Sequence, residues 1–201
     1  MSKIMWSYRT PGIPDEFFIT GEGVPGPTKE EIRTLTISKA RLRKGSYVID
    51  VGCGVGSLTV EAALQVGAEG RVFAIDEDEE AVKLTRANLA KFGVQNIVQV
   101  IRGKAPEAML ELPFVDAVII GGSASLKDVI KVSHEKVKEK GRIVVNAIML
   151  ETCHEALQEI KRLNFREIDV TTVFVAKGKW VDAGVMMIAR NPITIISATK
   201  V

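Results

Sequence analysis

Short runs of β-branched and other apolar residues alternate along the chain with longer stretches in which apolar positions recur at helical spacing among charged ones. The runs at Tyr47–Val51, 71–75, 97–101, Val115–Ile120, 142–147, 168–176 and 185–189 read as strands. The stretches at 57–65, Glu79–Phe92, 105–111, 126–139 and 151–163 read as the helices between them. Such alternation predicts a mostly parallel sheet covered by helices on both faces. Gly93, after Ala90-Lys91-Phe92, reads as a C-cap, because glycine enters the left-handed conformation without a Cβ penalty, and Gly141 reads as the same device at the end of the next-to-last helix. Thr28 before Lys29-Glu30-Glu31 reads as an N-cap with Glu31 as its capping-box glutamate, opening a helix to about Ala40. Residues 10–27 are rich in proline and glycine and predict an extended arm.

The last two predicted strands are joined by residues 177–183, too few for a crossover helix, so they must pair antiparallel. A seven-stranded, mostly parallel α/β sheet closed by a C-terminal antiparallel hairpin resembles the Rossmann-like fold of class I S-adenosylmethionine-dependent methyltransferases. Dinucleotide dehydrogenases differ, because their second half repeats strand-helix-strand units.

Size and charge narrow the function classes. A chain of 201 residues suits one domain, expected here as a single methyltransferase unit over 1–201 with an arm at 1–27 and a Rossmann-like core at 28–201. Apolar residues at 46% and charged ones at 26% exclude a disordered or collagen-like chain. A net charge of +2 offers no footprint for duplex nucleic acid, so no nucleic-acid partner is expected. The apolar stretches fall short of the roughly 20 residues of a membrane helix, and the residues from Met1 to Thr10 lack the apolar segment of a signal peptide. A cytoplasmic protein without membrane contact is the expectation. Cys53 and Cys153 stand far apart, as do His134 and His154, which suggests plain thiols, no disulfide framework and no protein-bound metal.

The strongest local signal is the run from Val48 to Thr59, where an apolar strand enters the turn Gly52-Cys53-Gly54-Val55-Gly56 and a helix follows. Glycines there let a ligand approach the backbone closely. The dinucleotide fingerprint would place its third glycine at Ser57, whereas this loop reads Gly-x-Gly-x-Gly behind Asp50. Asp50 is costly to bury alone; it either accepts hydrogen bonds from loop amides or organises the site beneath a cationic ligand. Asp76 closes the next strand, where an acid accepts hydrogen bonds from the two hydroxyls of an adenosine ribose. Hairpin, loop and acid together indicate S-adenosylmethionine, released as S-adenosylhomocysteine.

Further stretches identify a narrower likeness: Val24-Pro25-Gly26-Pro27-Thr28, Gly103-Lys104-Ala105-Pro106, Gly121-Gly122-Ser123, Asn146 to Thr152 and Met186 to Pro192. In these motifs the chain closely resembles the decarboxylating cobalt-precorrin C15-methyltransferases of cobalamin biosynthesis, from about Ile13 to Ile196. The resemblance implies methylation of C15 of cobalt-precorrin-6B with loss of carbon dioxide from the C12 acetate, giving cobalt-precorrin-7. It implies cofactor contacts at Thr28, at Gly52, Cys53, Gly54, Val55 and Gly56, and at Asp76 and Ala105, to which Asp50 and Gly121 are added. It also implies a homo-oligomer, a tetramer, and with no second methyltransferase domain in the chain the C5 methyl is expected from a separate protein. Members of that family carry an acid where this chain has Lys104.

Methyl transfer from a sulfonium is an in-line displacement on an activated carbon, so alignment is the main task and can supply roughly 7–11 kcal/mol. The Asn-Pro-Pro-aromatic motif that clamps amine nucleophiles is absent after the fourth strand, where Gly121-Gly122-Ser123 stands, and this suits a flat, bulky substrate. Lys177, Lys179 and Trp180 at the hairpin, with Gly122, match a polycarboxylate around an apolar ring; a solvated hairpin tip with Trp180 packed inward is the alternative. Glu151, Asn146 and Ser123 are the catalytic candidates, Glu151 being equally suited to an ordinary helix start. Two other readings compete: a tRNA adenine-N1 methyltransferase-like enzyme, from the Gly56-Ser57-Leu58-Thr59 loop, and a non-catalytic methyltransferase-like binding subunit, favoured by Lys104.

Overall fold

The computed structural model describes residues 6–201, so the first five residues of the expected arm lie outside the described residues. Strands β1 (Tyr47–Val51), β2 (Arg71–Asp76), β3 (Val98–Arg102), β4 (Val115–Ile120) and β5 (Val137–Ala147) pair in parallel in the order β3-β2-β1-β4-β5. Two more strands extend the sheet, β6 (Arg166–Val173) at the edge and β9 (Ile193–Thr199) antiparallel between β5 and β6. Strand order reverses between β1 and β4, which opens a crevice beyond their carboxyl ends.

Strand residues alternate between two cores because successive side chains leave a strand on opposite faces. Val48, Ala117, Ile119 and Val144 meet α1 (Glu30–Ala40), α2 (Ser57–Val66) and α3 (Glu79–Phe92) on one face. Ile49, Val51, Val118, Ile120, Ile143 and Val145 meet α4 (Leu126–Lys136) and α5 (Leu150–Arg162) on the other. No helix among the described residues is long and apolar enough to cross a membrane.

Four local expectations are corrected. Residues 105–111 form only a 3-10 turn over Glu107–Met109, with Met109 N–H donating to Pro106 O and Leu110 N–H to Glu107 O, and the chain continues with another three-residue closure, Leu112 N–H on Met109 O, rather than with α-helical bonds. Helix α4 stops at Lys136 rather than 139, because Val137 already pairs with Val115 and is wholly buried. Gly141 is consequently no C-cap. It sits inside β5 at the bulge, where a Cβ would come within 2.5 Å of Val137 Cγ1 and 2.8 Å of Asp116 O.

The third correction concerns Thr28, which is not the N-cap of α1. Lys29 holds that position without a side-chain bond, and Asp15 Oδ1 accepts from Glu30 N–H at 2.9 Å in its place. Gly93, as expected, caps α3 at φ 71°.

The fourth concerns the end of the chain. The strand that completes the sheet is β9, while residues 185–189 belong to a separate two-stranded hairpin of β7 (Ala176–Val181) and β8 (Gly184–Ala189). The apolar run Val185-Met186-Met187-Ile188 is exposed, and the hydroxyl-bearing β9 is buried. Arg142 makes that burial affordable, donating to Ser197 Oγ and Thr199 Oγ1, both at 2.7 Å.

Candidate functional site

The carboxyl ends of β1, β2 and β4 are stitched together by the loops that leave them. Gly52 N–H and Cys53 N–H both donate to Ile75 O, at 2.9 and 3.1 Å, and Gly121 N–H donates to Val51 O at 2.9 Å. Gly52 stands at φ 71°, and a Cβ there would lie 2.5 Å from Gly122 O, so the first loop can pass the fourth-strand loop only as glycine. Asp76 then ties the loop to β2. Its Oδ2 accepts from Gly54 N–H at 2.9 Å and its Oδ1 from Asp78 N–H at 3.0 Å. These bonds fix the carboxylate at the crevice while leaving lone pairs for further donors.

The crevice is a pocket of about 540 Å³, within the usual size range for a small-molecule site. Residues 25–28 of the arm form one wall and Gly121 to Ala124 another, with Gly52 to Val55 between them. The arm is held there from behind. Asn88 of α3, wholly buried, accepts from Ile19 N–H at 2.7 Å, and its Nδ2 donates to Ile19 O at 2.9 Å and to Val55 O at 2.8 Å. Arg33 of α1, also wholly buried, donates to Glu61 Oε1 at 2.9 Å, to Asp15 Oδ1 at 2.8 Å and to the carbonyls of Ile13 and Thr28.

Asp50 lies below the loop, wholly buried and outside the pocket lining. It accepts no hydrogen bond from the glycine-loop amides; Thr59 Oγ1 donates to its Oδ2 at 2.5 Å, and Oδ1 has no partner. Burial, and with it the charge of Asp76, pushes its carboxyl up to about 6 against the bond from Thr59. Cys53 lines the pocket, but burial and then the Asp50 charge push its thiol well above the usual range, so it is an inert wall rather than a nucleophile.

Most of the residues expected at the cofactor come together here: Thr28, Gly52, Cys53, Gly54 and Val55, then Asp76, Ala105 and Gly121. Gly56 sits behind them against Thr85. Gly122, Ser123 and Asn146 share the cavity. Asn146 Oδ1 accepts from Thr36 Oγ1 at 3.0 Å, and its Nδ2 is buried without a partner. Glu151, in the first turn of α5, is exposed and outside the walls, contrary to the expectation that it faces the cavity. Lys177, Lys179 and Trp180 also lie outside the walls; they form strand β7 rather than a loop, and Trp180 is 81% exposed, not packed inward.

Several wall residues went unnoticed in the sequence, among them Lys29, Ile32, Asp78, Ile148 and Ile193. The Pro25-Gly26-Pro27 turn was the available signal for the first two, since it delivers the start of α1 to the pocket. Ile193 carries no such signal, because it reaches the site only through β9. Among the described residues, no group of three or more His, Cys, Asp or Glu side chains is placed to hold a metal ion.

Comparison with known proteins adds a chemical context. Residues 25–200 match a family model described as a precorrin methyltransferase domain. A protein of Saccharolobus solfataricus named as a probable cobalt-precorrin-6B C15-methyltransferase (decarboxylating) is 47% identical over 197 residues, covering 97% of this chain and 98% of its own. The crystal structure of a precorrin-8W decarboxylase from Methanobacterium thermoautotrophicum superposes with a TM-score of 0.89 at 40% identity, over 94% of this chain and 100% of that one. That of a precorrin-6Y C5,15-methyltransferase from Geobacter metallireducens gives 0.88 at 34% identity, over 96% of this chain and 100% of that one.

Proposed function

The chain belongs to the precorrin methyltransferase family, and from that premise we propose that it methylates C15 of cobalt-precorrin-6B from S-adenosylmethionine, with decarboxylation of the C12 acetate, to give cobalt-precorrin-7 in cobalamin biosynthesis. The observation that carries the cofactor part of this reading is the pocket wall where Gly52 passes against Gly122, with the Asp76 carboxylate fixed beside it. A Cβ at Gly52 would force the two loops apart, and Asp76 keeps acceptor capacity free at the pocket wall, so the residues fit the nucleoside end of S-adenosylmethionine. When bound, the cofactor supplies a methyl group already activated on a sulfonium.

This chain's residues therefore have to orient rather than activate. Asp76 takes the ribose hydroxyls, while the Gly52 to Val55 loop with Thr28, Ala105 and Gly121 holds the remainder; Asp50 ties β1 to α2 through Thr59 beneath the loop. Gly122 lets the flat substrate approach the backbone, and Ser123 and Asn146 present the polar side chains beside it. Asn146 has hydrogen-bonding capacity to spare, because its Nδ2 is unpaired. Lys177 and Lys179 receive the periphery of the macrocycle; Trp180, expected beside them, leaves the opposite face of β7 with Val185. Cobalt enters as part of the substrate.

The hairpin also supports self-association, with a homotetramer as the proposed state. Trp180, Val185 and Met187 share one face of the hairpin and are 81, 51 and 61% exposed, which concentrates more apolar surface in one place than isolated surface residues do.

Anaerobic incubation with S-adenosylmethionine and cobalt-precorrin-6B tests the reaction, with product mass followed for one methyl gained and one carbon dioxide lost. Methylation without decarboxylation would sink the coupled reaction, and no mass change would sink the substrate. Ser123→Ala and Asn146→Ala are expected to lower kcat by tenfold or more while S-adenosylhomocysteine affinity, measured by calorimetry, stays unchanged. A fall in that affinity instead would place both residues in cofactor binding.

A further inference from the structure

The base of the β7–β8 hairpin meets the first turn of α1 through a chain of ion pairs at the rim of the pocket. Lys177 Nζ lies 2.8 Å from Glu30 Oε2 and 3.3 Å from Glu31 Oε1. Arg190, which closes the hairpin with its N–H on Val175 O at 2.9 Å, places Nη1 3.1 Å from Glu31 Oε2 and 3.6 Å from Asp15 Oδ2. The cluster lies outside the cavity walls but next to them along the chain. Lys29, immediately before Glu30, lines the pocket, and so does Ile193, three residues after Arg190.

The pairs are not buried. Lys177 is 44% exposed, Arg190 26%, Glu30 29% and Glu31 32%. Ion pairs in such settings contribute about 0–1 kcal/mol each, so a carboxylate arriving from solution can replace a glutamate at little cost. Arg33 differs, being wholly buried on Glu61 and Asp15 and therefore a fixed part of the frame. Lys177 keeps its charge: the bond to Glu30 holds it above the ordinary lysine range, with Glu31 adding to it. Burial would raise the Glu31 carboxyl, but its own backbone bond and the charges of Lys177 and Arg190 hold it below the usual range.

We propose that Lys177 and Arg190 form a carboxylate-exchange site, occupied by Glu30 and Glu31 in the free protein and by peripheral carboxylates of the tetrapyrrole in the complex. The identity of that ligand rests on the reading in the preceding section. Arg190 is the anchor of the pair, because its planar guanidinium can receive a carboxylate through two parallel N–H bonds. The glutamates make the site selective. A ligand with one carboxylate competes with Glu31 on even terms, whereas several carboxylates on one rigid ring engage Lys177 and Arg190 together at high effective concentration.

This exchange and a purely structural role predict opposite signs. If Glu31 only pins the hairpin, Glu31→Gln loosens it and weakens ligand binding. If Glu31 competes with the ligand, the same change tightens binding. The probe is coproporphyrin III, a fluorescent tetracarboxylate, titrated at low salt into the full chain saturated with S-adenosylhomocysteine. Glu31→Gln is expected to lower its Kd about fivefold, corresponding to about 1 kcal/mol. Lys177→Gln and Arg190→Gln are expected to raise it by at least as much, and Glu31→Gln is expected to bring no gain once Arg190→Gln is present. An unchanged or weakened Glu31→Gln complex, unchanged Arg190→Gln and Lys177→Gln complexes, or no probe binding by any form would overturn the exchange site. Unaltered S-adenosylhomocysteine affinity and thermal midpoint in each variant keep these outcomes separate from unfolding. The mass assay on the wild type separates the two proposals: turnover without exchange refutes the exchange site alone, and exchange without turnover refutes the assigned substrate alone.

Discussion

Asp50 shows how one buried carboxyl couples the site to the stability of the fold. Its ordinary value near 3.8 rises to about 6 in the folded protein, mainly through burial. Between those values the folded state keeps a proton that the unfolded chain gives up, so this group's contribution is full below about pH 4 and is lost as pH rises through about 6. The ionised carboxylate then costs on the order of 3 kcal/mol. Asp50→Asn should therefore gain stability on the wild type as pH rises from 4 to 7, by urea unfolding; parallel pH profiles would refute the assignment. Residues such as Asp76 were legible in the sequence because strand, loop and acid follow one another at motif spacing. Asp15, Arg33 and Glu61 were not, since their bonds join positions 18 and 28 residues apart and no local pattern marks them.

Elements were legible where local chemistry decides them and misread where partners do. Helix α3 carries its own signals, with Asp78 Oδ1 accepting from Glu80 N–H at 2.7 Å and Ala81 N–H at 3.2 Å, and Gly93 ending it. Asp78→Ala should cost about 1 kcal/mol in chemical unfolding, and a change below a few tenths would show the cap to be redundant. Helix α1 borrows its cap from Asp15, which a search for Ser, Thr, Asp or Asn beside the helix cannot find. The closing strands were misassigned for a related reason. An all-apolar run reads as a buried strand, but burial of β9 depends on Arg142 pairing with Ser197 and Thr199 across the sheet. Composition alone therefore favoured the wrong one of two neighbouring runs.

At the scale of the whole molecule, the parallel half of the sheet followed from element order, and a reversed closing strand was expected, although β9 and not residues 185–189 takes that place beside β5. What the hairpin does with its exposed apolar face is a property of the assembly. Met187→Glu combined with Val185→Lys should convert the proposed tetramer to smaller species by light scattering with far-ultraviolet dichroism unchanged; an unaltered mass would move the interface elsewhere. One further long-range link runs through Asn88, whose single amide group grips both the arm at Ile19 and the glycine loop at Val55. Whatever steadies the loop also steadies the arm. The Ile19 amide, absent from the pocket walls, becomes a reporter: its hydrogen–deuterium exchange should slow when the cofactor binds, giving a readout of occupancy that needs no turnover.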